Sequence, residues 1–438
     1  MVHVFFGGSV GDGLSITLRS GSMLFNKFSI AEIPVLLISI FVFIFGALAL
    51  VAPSGYTYGP LLLVLFAVGY LFVRPYPQLI SVDKYLMAAL LLYFLVSAIA
   101  NTAHNLSSRH YDNASRFLFA IPVLLLLLRF PIKPIYLWAG IALGALGAGF
   151  VALMDFYVYG ELRAGGHNNP IQFGDIAMLF ACLLMAGFAW AKQRSRSMIV
   201  IFGLGILSGI LASVLSGARG GWLALPFGLV AFYIANDLHK NTKKTALFIV
   251  AILSAAGLAY YFLSQELLQA RVNDAISDLQ QYFQANNTNT SLGARLTLWQ
   301  ASLPLIAEQP LLGWGSVANY VNFSGDSADV FQRFNHFHND ILDALVKRGL
   351  LGGLALLIIY VLPAILFYRQ LKQCSPTKQP FACAGLILVI ATFVFGLTQS
   401  FFSHSSGVMI YVYMLVILWA QVRSPDVNPK SDLQANNK

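Results

Sequence analysis

Charge is what this sequence has least of. Only 10% of its 438 residues are charged, 58% are hydrophobic, and the mean hydropathy is +0.72. A water-soluble domain carries about 25% charged residues. No soluble surface can be built from so few, whereas a lipid-facing one needs none. Cysteine is nearly absent too: Cys182, Cys374 and Cys383 lie in apolar runs or beside a basic stretch, without metal-ligand spacing. Neither a disulfide framework nor a zinc site is therefore expected. No Gly-Lys dipeptide occurs, which removes a phosphate-binding P-loop. Residues 1–32 lack the early apolar core of a cleavable signal, so the first span is expected to act as an uncleaved anchor.

What the sequence does have is a succession of long apolar runs. A helix needs about 20 apolar residues to cross the hydrocarbon core. By that measure twelve spans are predicted, near 33–52, 58–73, 85–100, 114–130, 135–154, 173–191, 199–216, 222–236, 246–264, 349–368, 381–399 and 405–421. The fold class that follows is an all-α polytopic membrane protein. The net charge of +9 does not point to nucleic acid, because the basic residues are dispersed in short clusters between the runs. Those clusters follow the even-numbered spans: Arg74 and Lys84, Arg129 and Lys133, Lys192 to Arg196, Lys240 to Lys244, and Arg369 to Lys378. Such a bias places them, and both termini, in the cytoplasm. The expected organisation is a cytoplasmic segment 1–32, spans one to nine over 33–264, a large periplasmic loop 265–348, spans ten to twelve over 349–421 and a cytoplasmic tail 422–438.

The large loop reverses the charge bias, with eight acidic residues against five Lys and Arg. A structureless loop of this size would be unusual, and a functional one is expected. Helical spacing appears at 266–284 (Leu268, Val272, Ile276, Leu279) and at 291–308 (Leu292, Leu296, Trp299, Leu303), the second behind a Ser291 cap. Pro310, Gly313, Gly315 and the stretch 321–330 signal turns, within which Asp326 and Asp329 read as solvated.

Charges beside apolar runs are costly in lipid and therefore informative. Arg116, Asp155, Asp175 and Arg219 all fall toward the ends that face the large loop, which itself holds Arg295, His336 and His338. The polar site is thus expected to be a cavity at the outer face and not a path through the midplane. Arg219 sits in the turn Ser216-Gly217-Ala218-Arg219-Gly220-Gly221-Trp222. Glycines let a ligand approach the backbone, and a guanidinium offers planar donors suited to phosphate. The alternative is a snorkelling anchor, commoner on the other face. Arg295, taken alone, reads as a solvated or headgroup-contacting charge on an amphipathic helix. His336-Phe337-His338, with Asp340 and Asp343 nearby, fits a weak metal motif, a neutral base near pH 7, or an interfacial pair without chemistry.

His338-Asn339, nine intervening residues and Gly349-Leu350-Leu351-Gly352 resemble the His-Asn…Gly-x-x-Gly signature of the O-antigen ligase and polymerase superfamily. Gly313-Trp314-Gly315 resembles the Gly-x-Gly stretch before it, while Arg219 in its glycine turn and Arg295 in Gly293-Ala294-Arg295 resemble that family's two arginines. With the span layout, the resemblance covers most of the chain and is nearest to the bacterial O-antigen ligases. It implies a glycosyltransferase of the C type, without cofactor, and fits a metal-independent mechanism. The first outer loop, 53–59, holds no carboxylate, unlike metal-dependent oligosaccharyltransferases of that fold class. The implied donor is a glycan on undecaprenyl pyrophosphate and the acceptor a sugar of the lipid A core. Transfer would take place with inversion at the periplasmic face of the inner membrane, in a phospholipid bilayer, completing lipopolysaccharide. In that scheme His338 is the catalytic base, and Arg219 and Arg295 hold the pyrophosphate. Arg109, Arg116, Arg163, Asn168, Asp175 and His336 are further polar residues without assigned roles. Rival readings are the sister O-antigen polymerase and a protein-directed oligosaccharyltransferase, whose members tend to carry a soluble part after the last span. A transporter fits less well, since its charges belong at mid-depth in paired segments.

Overall fold

The computed structural model describes residues 32–73, 75–235, 240–243, 245–246, 269–285, 290–321 and 328–425, which are helical with no strand among them. The helices are α1 (Ile33–Leu48), α2 (Tyr58–Tyr70), α3 (Ser81–Ala103), α4 (Asp112–Arg129), α5 (Pro134–Leu153), α6 (Pro170–Lys192), α7 (Arg196–Ser216), α8 (Arg219–Trp222) and α9 (Leu225–Ala235). After them come α10 (Gln269–Ala285), α11 (Ser291–Glu308), α12 (Val317–Tyr320), α13 (Ala328–Arg333), α14 (Asp340–Gln373), α15 (Gln379–Thr398) and α16 (Ser405–Arg423). Eight described helices are long and apolar enough to cross a membrane, and three shorter apolar ones stand at 33–48, 55–70 and 219–234. The chain is an all-α polytopic membrane protein. The span expected at 246–264 lies outside the described residues apart from residue 246.

Local signals in the chain start these helices where they start. Proline opens α1, α5, α6 and α15, where its missing N–H leaves no helical bond unmade. Asn169, Ser195 and Asn339 cap α6, α7 and α14 with their side-chain oxygens. Helices apolar on every face go to the centre: 94% of the α16 window is buried, against 28% for α7, which borders the bundle. Small residues bring α1 and α5 together, where a Cβ on Gly144 would stand 2.1 Å from the Gly46 carbonyl oxygen. At the end away from the large loop, fully buried Asp83 accepts from Trp419 Nε1 (2.9 Å) and Arg423 Nε (3.1 Å), tying α3 to α16.

The glycine motifs have a structural explanation. α14 bends at Gly349, whose φ of 64° and ψ of −161° are not helical. Into the bend fits the segment 310–315. Trp314 N donates to Val346 O (2.8 Å), Gly315 N to Lys347 O (2.9 Å), and Leu350 N to Pro310 O (2.7 Å). A Cβ on Gly349 would lie 2.3 Å from the Leu311 carbonyl, and one on Gly313 would lie 2.4 Å from Val346 O. Gly313 of the first motif and Gly349 of the second are thus two sides of one backbone contact, which fixes how the large loop leans on the bundle.

The loop helices pack differently from their predicted stripes. In α11 the buried positions are Ala294, Leu298, Ser302 and Leu305, whereas Leu303 is 65% exposed. The predicted face is turned because α11 packs on α10, α13 and α14, with Tyr282 OH donating to Gln300 Oε1 at 2.8 Å. Of the 266–284 stripe, Ile276 is 49% exposed. The side chains of Leu268, Val272, Leu279, Asp326 and Asp329 lie outside the described residues.

Candidate active site

The loop-facing end of the bundle gathers Arg163, Asp175, Arg219, Arg295 and His338 from five separate stretches of chain. Arg219 is delivered by a sharp turn. Gly217 ends α7 in the left-handed region at φ 66°, and α8 starts two residues later. The glycines here serve packing more than ligand approach. A Cβ on Gly220 would stand 2.2 Å from Thr398 Oγ1, and one on Gly221 would stand 3.0 Å from Asp175 Oδ1. The turn is pressed between the start of α6 and the end of α15, leaving the Arg219 side chain exposed.

Arg163 was not singled out by spacing. It comes from the 160–169 connection, whose shape is set by Asp155 on a wide turn at the end of α5. Asp155 Oδ2 accepts from Gly165 N (2.9 Å) and Gly166 N (2.7 Å). Arg163 Nε then donates to Ser216 O at 2.8 Å, which lays this guanidinium beside the Arg219 turn.

Arg295 projects from half-buried positions on α11. Its proton is held less tightly than usual, first because burial strips water from it and next because Arg219 stands close, with Asp175 offsetting and Arg163 adding to the repulsion. Arginine does not lose its proton in proteins, so the quantity of interest is a surplus of positive charge. Arg163 and Arg295 face the buried Asp175 carboxylate, and Arg219 adds a third guanidinium beside Arg295. Among the described residues neither Arg219 nor Arg295 has a hydrogen-bond or ion-pair partner. An anion of two or three charges would complete this arrangement.

His338 joins the same group, since Arg295 is among the charges acting on its imidazole. The two are held in register by Trp299, one turn after Arg295 on the same helix, whose indole donates to Phe337 O at 2.9 Å. His338 has a positive φ of 51°, uncommon for a non-glycine residue although histidine tolerates it better than most. Strained backbone of this kind concentrates at functional sites. Its Nδ1 lies 2.5 Å from Gln399 Oε1, and Gln399 Nε2 lies 3.1 Å from His404 Nε2. A carbonyl oxygen facing Nδ1 requires the proton there, which leaves Nε2 as a free acceptor. Burial pushes the imidazole down to about 4, only partly opposed by the Gln399 bond. His336 packs 4.3 Å from it, ring to ring, and is pushed down to about 3 by burial and by His338. His404 is lowered as well, chiefly by burial. All three are neutral near pH 7.

Other predicted candidates have different employment. Arg116 is fully engaged by Asn113 Oδ1 (2.7 Å) and by Ser405 O and Oγ (3.1 and 3.0 Å). Asn339 caps α14 through Ile341 N and Leu342 N and reaches Leu397 O, so the Asn of the His-Asn pair aims its neighbour. Asn168 Nδ2 is buried without a partner. No group of three His, Cys, Asp or Glu side chains suited to a metal ion occurs among the described residues.

Residues 204–357, which include Arg219, Arg295, His338 and the Gly349 bend, match the family described as O-Antigen ligase. The chain belongs to the O-antigen ligase family. Among its relatives is a protein of Haemophilus influenzae described as uncharacterized, 32% identical over 388 residues, or 85% of this chain and 95% of the relative. The O-antigen ligase of Escherichia coli K12 is 24% identical over 344 residues, covering 75% of this chain and 77% of the relative. The exopolysaccharide production protein ExoQ of Rhizobium meliloti is 27% identical over 118 residues, 24% of this chain and 26% of the relative. As an O-antigen ligase family member, the chain is a glycan-transferring membrane enzyme of polysaccharide biosynthesis. Spacing alone did not single out Gln399 and His404 as the chain of partners behind His338. Their only sequence signal was the cluster of polar residues around Phe401 and Phe402, from Gln399 to Ser406, where two apolar spans meet.

Proposed function

We propose that this ligase transfers an O-antigen glycan from undecaprenyl pyrophosphate to a sugar of the lipid A core, at the periplasmic face of the bacterial inner membrane. The observation that supports this most is the meeting of a surplus of guanidinium charge with a neutral, oriented imidazole. Arg219 acts electrostatically on Arg295, and Arg295 on His338, so leaving-group stabilisation and proton removal are available side by side. In the proposed step the acceptor hydroxyl gives its proton to His338 Nε2 as its oxygen bonds to the anomeric carbon. The bond from that carbon to the pyrophosphate oxygen breaks with its electron pair. Arg219 and Arg295 meet the charge that develops there, a role in which fixed donors contribute more than they do in water. Arg163 adds to the same field. One displacement of this kind inverts the anomeric centre.

The test is transfer by the purified full-length protein from lipid-linked glycan to rough lipopolysaccharide, with chelator present. Product on the lipid A core supports the ligase; elongated carrier-bound glycan would instead identify a polymerase. His338→Ala is expected to abolish transfer with an unchanged melting temperature, and undiminished transfer would remove it as the base. Arg295→Gln is expected to lower the turnover rate by about 10²–10³-fold, the usual effect of losing one transition-state donor.

A further inference from the structure

The lobe built from the large loop carries apolar surface on two sides of α11. On the inner side Leu298 and Leu305 pack with Tyr320, Phe331 and Phe337, all of them buried. On the outer side Leu303 is 65% exposed, Pro304, Ala307 and Pro310 are exposed with it, and Leu311 follows at 64%. Glu308 is the one charge in the stretch 299–312. A surface turned to water carries about 25% charged residues. Helix α10 comes closer to that, with Arg271, Asp274 and Asp278 in its 17 residues. A helix whose apolar surface extends beyond its packed face needs a second apolar neighbour.

The position of α14 indicates what that neighbour is. Beyond its bend, Leu350, Leu354, Leu357, Val361, Ile365 and Tyr368 are 42–54% exposed at helical spacing, the stripe by which this span meets the bilayer. At the end away from the large loop, Lys372 Nζ lies 4.4 Å over the Tyr368 ring, an anchoring pair of the kind found at membrane interfaces. From Tyr368 to Leu350 the helix rises roughly 27 Å at about 1.5 Å per residue, close to the ~30 Å of the hydrocarbon core. Leu350 therefore stands at its far edge. The segment that holds Leu311 is bonded to that edge: Leu350 N donates to Pro310 O at 2.7 Å, and Leu351 N to Leu311 O at 3.4 Å. The exposed Leu311 thus adjoins the exposed Leu350 and Leu351, and here the apolar surface passes from the span to the lobe.

We propose that the second half of α11, with Pro310 and Leu311, is embedded in the bilayer leaflet that faces the large loop, where phospholipid acyl chains cover Leu303 and Leu311. Glu308 and Gln309 then lie among the headgroups, a setting suited to an interfacial helix. Arg295 stands eight residues before Leu303, about 12 Å along the same helix. The leaflet therefore sets the height of this guanidinium above the hydrocarbon. The lobe is held by the membrane as well as by the backbone contact at Gly349.

Fluorescence quenching of the full-length protein in phosphatidylcholine nanodiscs tests this placement. Leu303→Cys, Leu311→Cys and, as a lipid reference, Leu354→Cys are each made with Cys374→Ser and labelled with bimane. Both loop side chains are mostly exposed, so these variants should keep the wild-type melting temperature. Brominated phosphatidylcholine quenches from within the lipid, and iodide quenches from water. The brominated lipid is expected to lower emission at Leu303→Cys and Leu311→Cys by about half or more of the loss at Leu354→Cys, with little effect of iodide. Phe283→Cys, at a position 77% exposed on the more charged α10, should show the reverse. Quenching of the two α11 labels by iodide alone would put the lobe in water and overturn the proposal. Protection from both quenchers would do so too, since a protein surface would then cover this face. Lipid quenching at Phe283→Cys equal to that at Leu303→Cys would remove α11 as the anchor.

Discussion

Gln399 is 1% exposed, and both ends of its amide meet imidazoles, accepting from His338 and donating to His404. Because its oxygen faces Nδ1, it selects the His338 tautomer that has an available Nε2 and holds the ring against rotation. With the imidazole lowered to about 4, the base form is fully present above that value and is lost only as pH falls through it. Transfer should therefore hold its rate on the acid side well below the ordinary imidazole value of about 6.5. Gln399→Glu places a carboxylate against Nδ1, favours the imidazolium, and should move the acid limb of the pH–rate profile upward by about one unit or more. Gln399→Ala should reduce the rate without that upward move. Identical profiles for all three proteins would show that Gln399 does not position the base.

Among the elements, the bend of α14 carries the heaviest demand on sequence. Gly313→Ala or Gly349→Ala sets a methyl against backbone and asks alanine to hold a positive φ. The backbone penalty alone is about 1–3 kcal/mol. Both variants should melt earlier and lose transfer, since the segment 310–315 would no longer seat against Val346 and Lys347. Gly203→Ala on α7, with nothing within 4 Å of the added carbon, should do neither. The glycine signature was legible in the sequence as a pattern, yet its reason was not. Val346 O and Trp314 N are separated by more than 30 residues of chain, and only their pairing explains why both positions exclude a side chain. The buried face of α11 was misread for a related cause. Its stripe was taken from spacing as if lipid lay beneath, whereas α10, α13 and α14 surround it.

For the whole molecule, the apolar runs announced their helices directly, because lipid imposes a length and a composition that sequence displays without help from packing. Arg219, Arg295 and His338 could be proposed from motif and turn chemistry. Arg163 could not, since its position depends on Asp155 drawing back Gly165 and Gly166 and on a bond to Ser216 O. The charge bias of the connections predicts which end of the bundle faces out. Arg109→Cys and Arg194→Cys, each in a Cys374→Ser background, mark the two ends with exposed side chains. In intact spheroplasts a membrane-impermeant maleimide should label the first and reach the second only after permeabilisation; the opposite pattern would invert the proposed topology.

Trp299 hands its indole proton to Phe337 from a helix of the large loop, while Gln399 grips the neighbouring imidazole from the membrane bundle. The setting of His338 is therefore divided between a covering lobe and the trunk beneath it. Excising residues 265–335 would leave the trunk its histidine but remove Arg295, and the lobe produced alone would have no partner for that histidine. Neither fragment should retain transfer, so lobe and trunk are required together.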